Sequence, residues 1–90
     1  MSVLRLPDVL TQAQAQACAA QLRQAMAQAS DRVLLLDASA LQRFDSSALA
    51  VLLSCRRQAL ALGRSLQIEG MPDRLSTLAR LYGVHDWLLA

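Results

Sequence analysis

VLLLDASALQRFDSSALAVLL, Val33 to Leu53, carries the clearest sign of how this chain folds. Four consecutive apolar residues, Val33 to Leu36, end at Asp37. The run is too short for a helix and predicts a strand buried on both faces, as in a parallel or mixed sheet. A polar loop covers Asp37 to Arg43. A helix then runs from about Ser47 to Leu62, with Leu49, Leu52, Leu53, Ala59 and Leu60 on its buried side and Gly63 placed to end it. A buried strand feeding a helix through a short loop is half of a βαβ unit.

The flanks extend the alternation. Upstream, Leu4 to Leu10 holds a short strand that Pro7 confines to an edge or ends early. Thr11 is a good N-cap for a helix to Ala29, in which Ala15, Cys18, Leu22, Met26 and Ala29 recur at spacings of three and four. Ser30-Asp31 breaks it. Downstream, Leu66 to Ile68 predicts another strand, and Gly70 and Pro72 turn the chain into a helix from Pro72 to Tyr82. Leu75, Leu78, Ala79 and Tyr82 supply its apolar stripe, Gly83 closes it, and Trp87 in the terminal turn HDWLLA is expected to close the core. The expectation is one small α/β domain over residues 1–90, a mixed or parallel sheet packed with α-helices by right-handed crossovers.

Composition removes several chemistries. All nine basic residues are Arg, so no P-loop, Schiff-base or receiver-type lysine is present. A net charge of +2 with scattered arginines does not suggest nucleic acid. With 54% apolar residues but one Trp, one Tyr and one Phe, the core must be aliphatic. No apolar run approaches the roughly 20 residues that span a bilayer, and Pro7 and Asp8 interrupt the N-terminus where a signal peptide needs an apolar core. A cytoplasmic location without membrane insertion is therefore expected. Cys18 and Cys55 sit in helical patterns and read as small apolar side chains.

Asp45, Ser46 and Ser47 stand at a loop-to-helix junction. Capping alone accounts for one of them. Two further hydroxyls exceed what a cap requires, and a helix N-terminus suits a phosphate or a partner's acceptor. Asp37, at the end of the buried strand, has Ser39 where a phosphatase-like pair would need a second carboxylate, so it is expected to accept backbone hydrogen bonds in its loop. His85 and Asp86 come without a G-x-S-x-G elbow. Arg56-Arg57 reads as a solvated helix face. No catalytic, cofactor or metal site is expected.

With these residues in place, VLLLDASALQRFDSSALAVLLSCRRQA resembles the signature of STAS domains, the anti-sigma-factor-antagonist fold: an apolar strand, D-x-S, a loop, then D-S-S-G-L opening a helix. The likeness covers about Leu4 to Trp87. The tail GMPDRLSTLARLYGVHDWL is similar to that of STAS subunits of Mla-type phospholipid ABC transporters. The resemblance implies a non-enzymatic subunit that binds the transporter's cytoplasmic ATPase, in a complex with a permease and a substrate-binding protein, peripheral to the inner membrane. It implies a contact surface of Ala40, Leu41, Gln42, Arg43, Asp45, Ser46, Ser47 and Leu49. The alternative it carries is an anti-sigma-factor antagonist switched by phosphorylation of Ser46. Two departures stand out. Ala48 replaces the motif's glycine, which would hold a partner's backbone further off. The N-terminus also lacks room for the strand that normally comes first, so either the sheet is smaller or a partner covers its edge.

Overall fold

A computed structural model describes residues 2–89 of the chain. Pro7, which cannot donate to a ladder, divides the first extended segment into β1 (Ser2–Arg5) and β2 (Val9–Leu10). Then follow α1 (Gln12–Gln28), β3 (Val33–Asp37), β4 (Arg43–Phe44), α2 (Ser47–Ala61), β5 (Ser65–Glu69), α3 (Asp73–Leu81) and α4 (His85–Leu89). The main sheet has the order β1-β3-β5, and both of its pairings are parallel. β2 and β4 form a separate parallel pair, Val9 opposite Arg43 and Leu10 opposite Phe44. That small pair was not evident from the sequence, because two residues are too few to show a period.

The helices cover one face of the main sheet. Leu4, Leu34, Leu36 and Leu66 point into the core with Leu22, Met26, Leu49, Leu52, Leu75 and Leu88. Side chains alternate across a strand, so Val3, Val33, Leu35, Ser65 and Gln67 face the other way, and none of them is buried. The expectation that Val33 to Leu36 is covered on both faces is therefore corrected. A second layer on that side would need further helices, and the chain puts all four on one face. Two other positions also move out of the core. Leu60 is 65% exposed, about 100° around α2 from the buried Ala59, and Tyr82, the C-cap residue of α3, is 60% exposed. Leu88, not Trp87, closes the core; Trp87 is 43% exposed while Leu88 is fully covered.

The ends of the elements follow local chemistry. The Gln14 side-chain oxygen accepts from the Thr11 N–H at 2.9 Å and from its hydroxyl at 2.7 Å, which fixes the start of α1. Gly63, at φ +69°, ends α2 in a Schellman turn, with Gly63 N–H donating to Leu60 and Arg64 N–H to Ala59. Burial pushes both thiols up, Cys55 to about 12, so they stay protonated and pack as apolar groups, as expected.

Candidate functional site

The β2/β4 pair decides the geometry of the site. Each of its strands runs straight into a helix, β2 into α1 and β4 into α2. Parallel pairing in register therefore sets the two helix N-termini side by side. Asp45, the residue after β4, lies between them. Its carboxylate accepts from the Ser47 N–H at 2.8 Å and from the Gln12 N–H at 3.2 Å. One side chain thus satisfies a free donor of each helix, and its charge sits at the positive ends of two helix dipoles. Those bonds, the Ser47 amide foremost, hold its carboxyl below the ordinary value of 3.8.

Capping therefore belongs to Asp45. Ser46 occupies the N-cap position of α2 but has helical backbone angles, φ −64° and ψ −15°, and its hydroxyl makes no capping bond. The side chain is exposed. Ser47 is half-buried and gives its N–H to Asp45. The result is a free hydroxyl at a helix start whose donors are already served.

Around it, Ala40, Gln42 and Arg43 are exposed and share the surface of the β3–α2 connection. Leu41 and Leu49 do not share it. They are only 5% and 3% exposed and pack in the core: Leu41 turns inward from a polar loop, and Leu49 lies on the buried side of α2. Ala48 is likewise fully buried, and its methyl group points into the core, away from any partner.

Asp37 behaves as a loop carboxylate. It accepts from the Ser39 N–H at 2.9 Å, and its bonds to Ser39 hold it below the ordinary value of 3.8. Gly70 backs this loop at φ +72°, where an added Cβ would meet the Ser39 Cβ at 2.8 Å.

Two residues near the site were missed by sequence reasoning. Gln12 supplies the second amide to Asp45. Arg74, from α3, lays its guanidinium over the Phe44 ring at 5.0 Å and adds positive charge beside the loop. Nothing local in the sequence links Arg74 to Phe44; the contact exists only because α3 returns to the end of β4. His85 Nδ1 lies 3.3 Å from Asp86 Oδ1, and no hydroxyl joins them among the described residues. No group of three metal-ligating side chains occurs among the described residues, and no described helix is long and apolar enough to cross a membrane.

A parallel sheet covered on one face, with a D-S-S turn opening the central helix, is the build of a STAS domain. The family model described as "Mlab, STAS domain" matches residues 1–90, and the chain belongs to that family. STAS domains are generally non-catalytic regulatory domains. A comparison with curated proteins finds no match.

Proposed function

We propose that this chain is the STAS subunit of an Mla-type phospholipid ABC transporter, docking on the cytoplasmic ATPase through Ala40, Gln42, Arg43, Asp45, Ser46 and Ser47. The observation that carries the reading is the Ser46 hydroxyl, exposed and without a capping bond because Asp45 performs that role. A hydroxyl that stabilises nothing in its own domain is available to a partner. The family match supports the same reading through its MlaB-type description. In this role the subunit stabilises or regulates the ATPase and catalyses nothing itself. Through the ATPase it joins a complex with a permease and a substrate-binding protein on the inner membrane.

The same free hydroxyl favours one second reading, an anti-sigma-factor antagonist switched at Ser46. Phosphate there would gain two neighbouring helix N-termini but would crowd the Asp45 carboxylate. Co-purification from the native host separates the two readings. Recovery of an ABC-type ATPase and permease supports the transporter subunit; recovery of a kinase with a sigma factor, and no ATPase, replaces it with the switch.

A further inference from the structure

At the opposite end of α2 from Ser46 lies a cleft of about 370 Å³, lined by Arg56, Ala59, Leu60, Arg64, Ser65, Leu66 and Gln67. It contains two cations and no carboxylate. Both guanidiniums are tethered to main-chain carbonyls. Arg56 Nη1 donates to the Leu66 carbonyl at 3.1 Å, and Arg64 Nη1 donates to the Met26 carbonyl in the last turn of α1. Both side chains are half-buried. No ion pair among the described residues involves either guanidinium. The Asp31 carboxylate feels the Arg64 charge but is bonded to the Ser2 hydroxyl at 2.7 Å and does not line the cleft.

A guanidinium has five N–H donors, and each of these spends one on its tether. The remainder are held in place at little further entropic cost, which is the condition for tight recognition of an oxyanion. The sheet edge adds to them. β5 is an outer strand, and Ser65 N–H donates inward to Arg32 while Glu69 carbonyl accepts from Ala38. In a parallel ladder the intervening residues then turn their amides outward, so the Leu66 and Ile68 N–H groups face the open edge. The Ser65 and Gln67 side chains lie on the other face of the sheet from α2, so the clamp rests on the two guanidiniums and the edge amides.

We propose that this cleft binds a phosphate-bearing anion, clamped between Arg56 and Arg64. Planar guanidiniums match phosphate oxygens bidentately, and two of them offset the charge of a phosphate dianion. The site is independent of the proposed docking surface. Arg56 lies ten residues along α2 from Ser46, about 15 Å at 1.5 Å per residue, so both can be occupied together.

The test is a ¹⁵N-NMR titration of the whole chain with inorganic phosphate, and in parallel with phosphatidylcholine vesicles containing phosphatidylglycerol. Saturable shifts at the Ser65, Leu66 and Gln67 amides are expected with millimolar phosphate. Arg56→Gln and Arg64→Gln should each weaken binding about tenfold, the cost of a charge-assisted contact. Arg57→Gln, outside the cleft, should leave it unchanged. Because the arginine variants also lose a tether, Leu60→Glu, at a lining position of the cleft, provides a second perturbation. That side chain is exposed, so the fold should survive while the added charge abolishes binding. Saturation by free phosphate assigns a soluble ligand. Response to the anionic vesicles alone, with the same dependence on these residues, assigns a lipid headgroup. If neither probe saturates, or if binding persists in folded Leu60→Glu, the proposal is wrong.

Discussion

Leu35 and Leu36 are the same side chain on consecutive residues of one strand, and they should answer very differently to truncation. Leu36 is fully buried under the helices, between Leu4 and Ile68 on the neighbouring strands. Truncating a leucine in such a site removes its transfer energy and leaves a cavity, at a cost of about 3 kcal/mol within a range of 2–5. A chain of this size has roughly 5–13 kcal/mol in total. Leu36→Ala should therefore lose a large share of its stability and melt roughly 12–24 °C below the parent. Leu35 is half-buried on the open face, between the exposed Val3 and Gln67. Leu35→Ala removes only partly shielded area and leaves no closed cavity, so about 1 kcal/mol and 4–8 °C are expected. Thermal melts followed by far-ultraviolet circular dichroism compare the two directly. Equal losses would mean that a second layer covers the outer face, and the one-sided architecture would be wrong.

Gly70→Ala should destabilise more than Gly63→Ala. Both glycines have left-handed φ, which costs an alanine roughly 1–2 kcal/mol, but only at Gly70 does the new methyl group collide with Ser39. Urea unfolding midpoints that rank them in reverse would contradict the packing of that loop. Acid should destabilise the domain in a defined window. Asp37 and Asp45 have folded values below the ordinary 3.8, so the stability they contribute is complete above that value and is lost as pH falls through their lower folded values. Melting temperature should be nearly flat from pH 7 down to about 5 and fall below about 4, less steeply in Asp45→Asn; a rise below pH 4 would contradict the assigned hydrogen bonds.

Much of the architecture was legible because it rests on periods and punctuation. The Cys18, Leu22, Met26 stripe, the Val33 to Leu36 run and Gly63 at a helix end each depend on neighbours within a turn or two. What was illegible depends on register and layering. Four apolar residues in a row look the same whether one face or two is covered, and only the placement of all four helices on one side reduces Val33 and Leu35 to partial burial. The candidate site divides in the same way. The D-S-S turn was visible, but which residue capped the helix was not. That depended on β2 pairing with β4, which brings the Gln12 amide of one helix to the carboxylate at the start of another. Leu41 stands in the contact surface that the resemblance implies, and its own hydrophobicity sends its side chain inward.

The measurement closest to the central claim is the affinity of Ser46→Glu for the Mla-type ATPase, paired with its melting curve. The Ser46 hydroxyl makes no capping bond, so neither Ser46→Ala nor Ser46→Glu removes a contact within the domain. Both should stay folded and melt close to the parent, the new carboxylate being partly accommodated by the adjacent helix N-termini. At the interface, a second negative charge beside Asp45 meets like-charge repulsion and the cost of desolvation. Ser46→Ala should weaken binding mildly, and Ser46→Glu should lose most of it. Full-strength binding by folded Ser46→Glu would contradict the account, because the free hydroxyl would then lie outside any contact with the ATPase.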